Sequence, residues 1–237
     1  EQADAALPGH AAPKVLRARA LLLLGKPKEA AAVFAADKKL DARSLEEPAT
    51  LHAYARVLVR TGRPDAALGV YRALVPRVDL LGLPAERTTV LLEAADASMA
   101  AAARHASGPG KPSLDEAIAY LREARRRGAT ELAGDVELML ALVLDRAGDA
   151  ALADAALADA ARRGARLHPE AVSFFAAPED VTALQALAAD GDPRAAQRAW
   201  EAFLGGPGGK GPWAASARAR LEASRRGGRP AHARRRR

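Results

Sequence analysis

Few of the residue types that do chemistry stand at working distances in this chain. The five histidines His10, His52, His105, His168 and His232 are far apart, and none has a second histidine three or four residues away to make a helical metal pair. The run Gly205-Gly206-Pro207-Gly208-Gly209-Lys210-Gly211 invites comparison with a phosphate-binding loop. However, Leu204 stands where that motif needs its first glycine, and Gly211 replaces the hydroxyl residue that binds magnesium. The run therefore reads as a flexible linker. Carboxylates are scattered in the manner of solvated helix faces, and no spacing assembles a nucleophile, a base and an orienting group. With no cysteine, thiolate metal sites, thiol catalysis and disulfides are excluded. The expectation is a non-enzyme that needs neither cofactor nor metal ion.

Arginine remains. Residues 225–237 hold Arg225, Arg226, Arg229, Arg234, Arg235, Arg236 and Arg237 with no acid, and these seven account for the whole formal charge of +7. The body is neutral, and the tail reads as a basic disordered segment able to bind nucleic acid or an anionic membrane surface by counterion release. No aromatic residue is interleaved there for base stacking. An acidic protein partner is a further reading of the tail.

The elements that must position any site are set by a recurring turn. Gly25-Lys26-Pro27-Lys28-Glu29-Ala30 returns as Gly62-Arg63-Pro64-Asp65-Ala66-Ala67, Gly148-Asp149-Ala150-Ala151-Leu152-Ala153 and Gly191-Asp192-Pro193-Arg194-Ala195-Ala196. Each copy lies between two runs of helix formers, so glycine ends one helix in a left-handed cap and proline, where present, starts the next. The repeating unit is a helical hairpin. Hairpins are expected over residues 14–40, 48–75 and 130–163, and a fifth over 178–204. The third departs from the rest: a long helix over 85–104 is followed by a loop, and Ser113-Leu114-Asp115-Glu116 reads as a capping box for its second helix. Residues 1–13 read as an irregular lead-in, and 212–224 as a capping helix. Ile118 is the only isoleucine and aromatics are 4% of the residues, so there is little from which to build strands.

Each second helix carries a small residue and a bulky one four later: Ala30 and Phe34, Ala67 and Tyr71, Ala117 and Leu121, Ala153 and Leu157, Ala196 and Trp200. A small side chain admits a crossing backbone, and a large one fills the gap a turn on. In the first helices, Ala18, Ala55 and Ala141 stand seven residues before the turn glycine, whereas the fifth unit has Leu184. On these residues the stretch 14–224 resembles the tetratricopeptide repeat family in a degenerate, bacterial form, whose unit is a helix-turn-helix of about 34 residues. The resemblance implies an all-α solenoid of about five hairpins with a C-terminal capping helix.

It also implies a function. In that family the first helices line a concave groove, which places Arg19, Arg56, Leu142 and Gln185 in it, with His52 and Arg60 a turn either side of Arg56 and Asp145 beside Leu142. The amino-terminal half of such a groove is basic, and Arg19, Arg56 and Arg60 are suited to an acidic or carboxy-terminal peptide through charge-assisted hydrogen bonds. The expected role is a non-enzymatic scaffold or adaptor of a multiprotein assembly, holding a protein partner. The family's use in bacterial cell-envelope machines favours a periplasmic or envelope-associated setting over a cytoplasmic one. The start at Glu1 agrees, since a cleaved secretory signal would leave such a terminus. The apolar run over 18–24 is short and broken by Arg19, so no transmembrane segment is expected.

Overall fold

The computed structural model describes residues 11–35, 47–106, 113–165, 175, 177–189 and 192–226. Among them the protein is all-helical, with eleven α-helices, three short 3₁₀ segments and no strand. The chain divides into two compact units, Glu1–Val90 and Leu91–Arg237.

The first unit contains α1 (Ala11–Leu23), α2 (Pro27–Ala35), α3 (Pro48–Arg60) and α4 (Pro64–Leu74), a 3₁₀ segment Val75–Leu80, and the start of α5 (Pro84–Arg104). Helix α1 packs on α2 and α3, and α3 packs on α4. The second unit follows from within α5 and holds α6 (Asp115–Arg127), α7 (Ala133–Ala147), α8 (Ala150–Arg162), α9 (Pro178–Ala188), α10 (Pro193–Gly205) and α11 (Ala214–Arg225). There α7 packs on α6, α8 and α9, and α10 packs on α9 and α11. The helix at the start of the chain begins at Ala11, earlier than the expected residue 14. The second helix of the second hairpin ends at Leu74, and a 3₁₀ segment follows from Val75 with Pro76 in its first turn, where a fixed φ fits. The proposed loop over 107–112 lies outside the described residues.

The repeated turn closes the same way in its three copies that lie wholly among the described residues. Gly25, Gly62 and Gly148 have φ of 70°, 74° and 94°, a region that costs any residue with a Cβ. Each glycine N–H donates to the carbonyl three back (Leu22, Val59, Asp145), and the next N–H donates to the carbonyl five back (Leu21, Leu58, Leu144). This is the Schellman pair of bonds, which satisfies the carbonyls a helix end leaves without partners. Gly164 ends α8 with the same two bonds, to Ala161 and Ala160. Pro27, Pro64 and Pro193 are the first residues of their helices, where a missing N–H costs nothing. Asp192 caps α10, its Oδ1 accepting from the N–H groups of Arg194 and Ala195 at 3.0 and 3.1 Å. Gly191 lies outside the described residues.

All ten residues of the small-then-bulky pairs are buried, from Ala30 and Phe34 to Ala196 and Trp200, and so are Ala18, Ala55, Ala141 and Leu184. Phe34 of α2 meets Tyr54 of α3 with ring centroids 5.2 Å apart. Helix α7 is the centre of the second unit, buried without a break from Gly134 to Leu144. A Cβ on Gly134 would lie 2.6 Å from the Cα of Ala165, so glycine is required where that backbone crosses.

Two local expectations are corrected. Ser113 does not form a capping box: its hydroxyl bonds Asp115, while Glu116 accepts from the Tyr120 hydroxyl one turn on at 2.8 Å. The glycine-rich run is not a flexible linker but a tight connection containing the 3₁₀ segment Pro207–Lys210. A Cβ on Gly208 would stand 2.5 Å from the Phe203 ring, and one on Gly209 would stand 1.9 Å from the Leu204 carbonyl oxygen. Glycine is used there for close approach, folding the chain back so that α11 reaches α10.

Candidate functional site

In the first unit, three of the basic residues expected in a groove do gather. His52, Arg56 and Arg60 recur at every fourth residue of α3 and so share one stripe of that helix. His52 is buried, Arg56 half-buried and Arg60 exposed, as is Arg19 on α1. An acid that sequence reasoning missed, Glu86 in the first turn of α5, stands beside His52 and within the field of Arg19 and Arg56. His52 Nδ1 lies 3.6 Å from Glu86 Oε1, an ion pair once the imidazole is protonated. The imidazole is the chief cause holding the Glu86 carboxyl below its ordinary value of 4.5; partial burial opposes it, and the charges of Arg19 and Arg56 reinforce it. An acid in a first turn is also where the helix dipole favours one. That Glu86 opens the long helix was legible; that it faces α3 was not.

The sign of this shift fixes a pH dependence. A carboxyl whose folded-state pKa is depressed contributes stability that is complete above its unfolded value and is lost as pH falls through the folded value. Glu86→Gln should therefore be less stable than the wild type above pH 4.5, with the gap closing as the pH is lowered further. Denaturant midpoints of the two proteins across that window measure it. A gap independent of pH would mean that Glu86 does not carry the charge interaction.

In the second unit the expected groove residues fare differently. Leu142 is fully buried inside α7, and Asp145 is engaged from within: Arg220 of α11 donates from Nε to Asp145 Oδ1 at 2.7 Å and from Nη1 to Asp154 Oδ1 at 2.8 Å. Neither lines an open groove: Leu142 is closed in, and Asp145 is held by Arg220. Gln185 on α9 is exposed. The Arg220 guanidinium, despite burial, is raised above its ordinary range by Asp145 and Asp154.

A fully enclosed ion pair in this unit is built on Arg146, in the last turn of α7. It donates through both ends of its guanidinium to Asp180 of α9, Nη1 to Oδ2 at 2.9 Å and Nη2 to Oδ1 at 2.6 Å, with the side chains only 2% and 4% exposed. Nη1 also lies 3.4 Å from the Met99 sulfur, and the guanidinium carbon sits 5.1 Å from the centre of the Trp213 ring. A second buried acid, Glu137 of α7, is paired with Arg125 and lies 3.9 Å from Arg163. These arrangements tie helices together and bring no reactive pair to a surface. The signal that could have revealed Arg146 is its place two residues after the apolar run Leu138–Leu144, which is too long to be one face of a surface helix.

Of the basic tail, Arg225 pairs with Glu201 and Arg226 with Glu222, at 2.8 and 2.9 Å, both in solvent. Arg229, Arg234, Arg235, Arg236 and Arg237 lie outside the described residues, as do His10, His168 and His232. Among the described residues no group of three or more histidines and carboxylates is placed to hold a metal ion, and no helix is long and apolar enough to cross a membrane. The chain matches no family model, no curated protein and no solved structure.

Proposed function

We propose that the protein is a non-enzymatic, tetratricopeptide-like scaffold that binds an acidic or carboxy-terminal segment of a protein partner on the basic face of its first unit. The observation that carries this reading is the approach of His52 to Glu86 at 3.6 Å, where the charges of Arg19 and Arg56 also act on the carboxyl. Arg19 and Arg60 are exposed beside this cluster and present positive charge to solvent. Glu86 then acts as an internal stand-in that keeps the cationic groups facing one another, which lowers the ordering cost of binding a second carboxylate. The identical Schellman turns and the buried small-then-bulky pairs support the repeat reading.

The test is titration of a short Asp/Glu-rich peptide with a free carboxy terminus into the full chain and into Arg19→Ala/Arg60→Ala. Both substitutions are at exposed positions, so the fold stays intact. Loss of two charge-assisted contacts should weaken binding by roughly tenfold or more, and salt should weaken the wild type in the same direction. Equal affinity for the two proteins, or no binding by the wild type, overturns the reading.

A further inference from the structure

Helix α1 has two apolar faces and only one of them is covered. Val15, Ala18 and Leu22 are buried against the hairpin, while Leu16, Leu23 and Leu24 on the other side are 65%, 78% and 71% exposed. With exposed Ala20 these leucines fall at i, i+4, i+7 and i+8, a continuous stripe along the helix. At 3.6 residues per turn, Arg17 and Arg19 fall on the two margins of the stripe. The stripe runs into the tight turn at Gly25, where Lys26 and Lys28 are both exposed. Over α1, the turn and α2 the bases are Lys14, Arg17, Arg19, Lys26 and Lys28, and Glu29 is the single acid. Glu29 is shared with Lys26 in an open pair at 3.1 Å, a contact that solvent screens and a stronger anion displaces.

We propose that this end of the first hairpin docks on an anionic lipid surface, with Leu16, Leu23 and Leu24 entering the acyl boundary and Lys26 and Lys28 meeting the head groups. An apolar insertion joined to a basic rim supplies the two signals that reversible membrane attachment requires, neither of which suffices alone. The long lysine stems at the turn let the ammonium groups reach head-group level while the neighbouring leucines go deeper. A second copy of the chain is a poorer occupant, because two such faces would bring their positive margins together. The inference stands apart from the peptide reading, which concerns the α3 stripe and Arg19, because the variants that test it leave Arg19, His52, Arg56 and Arg60 in place.

The experiment is co-sedimentation of the full chain with phosphatidylcholine vesicles, with and without phosphatidylserine, at near-physiological salt of about 0.15 M. The wild type should bind the phosphatidylserine vesicles, and Leu16→Ser/Leu23→Ser/Leu24→Ser should reduce that binding by roughly tenfold or more. Lys26→Glu/Lys28→Glu should reduce it as well, while Leu80→Ser/Leu83→Ser removes equally exposed leucines from a segment whose neighbour Arg87 is engaged with Asp79 and the Leu81 carbonyl and should leave it unchanged. All variants retain the arginine-rich end, so binding through that segment would survive the serine substitutions. Wild-type-like binding by the triple-serine protein, absence of binding by the wild type, or an equal loss in the Leu80/Leu83 variant each overturns the assignment. Unaltered circular dichroism of the variants separates loss of docking from loss of fold.

Discussion

Arg146→Ala should lower the stability of the second unit by about 3–5 kcal/mol, because it leaves the Asp180 carboxylate buried without its countercharge. The pair is bidentate, closed to water, and stacked on Trp213, so no solvent route exists to rehydrate the acid without opening the packing of α7 against α9. Its placement is locally favoured at both ends: Arg146 is in the last turn of α7 and Asp180 in the first turn of α9, where helix dipoles prefer those signs. The pair is nevertheless not expected to exceed a well-packed apolar substitute. Arg146→Met/Asp180→Leu should recover most of the loss, since each charge is then removed together with the desolvation it suffered. Calorimetry tests this. The single variant should shift the unfolding transition downward by roughly 10 °C, and the double variant by much less. A single variant within about 1 kcal/mol of the wild type would mean that the pair is not sealed from water.

That pair marks the boundary of what the sequence made legible. The turns were readable because they are local: a left-handed glycine followed by a helix-starting proline states its conformation in a few residues, and Gly25, Gly62 and Gly148 close with the same bonds. Periodicity made the buried face of α2, α4, α6, α8 and α10 readable too, since one small and one large residue per helix survive any change in what lies opposite. What failed depended on the other side of the contact. Leu142 occupies the register that Arg19 and Arg56 occupy in earlier hairpins, with Asp145 a turn beyond it, but Leu142 is buried and Asp145 is held by Arg220 of α11, so positions expected to face outward are turned inward. Glu86 was invisible as a site residue because it lies 34 positions after His52 and no local pattern connects them. The glycine run before α11 misled for a different reason. Glycine serves both freedom and close approach, and only the presence of the Phe203 ring against Gly208 separates the two.

The small-then-bulky rule makes its strongest quantitative claim at Ala196 and Trp200 of α10. Trp200 is buried and meets Phe203 edge to face, ring centroids 6.0 Å apart and planes at 81°, in a helix packed on α9 from one side and α11 from the other. Trp200→Ala should cost about 3–5 kcal/mol, because helices held on two sides cannot both collapse into the space left by an indole. Ala196→Leu attacks the same junction from the opposite direction and should cost about 1–3 kcal/mol by forcing the crossing backbone outward. Ala202→Leu, the same chemical change at an exposed position of α10, should stay within about 0.5 kcal/mol of the wild type. Urea unfolding followed by tryptophan emission measures all three, and in Trp200→Ala the remaining Trp213 reports from its stack on Arg146. The midpoints should fall in the order Ala202→Leu, Ala196→Leu, Trp200→Ala. If Ala196→Leu proved as neutral as Ala202→Leu, the alanine would be a consequence of composition, and the recurrence of small residues in the other second helices would lose its packing explanation with it.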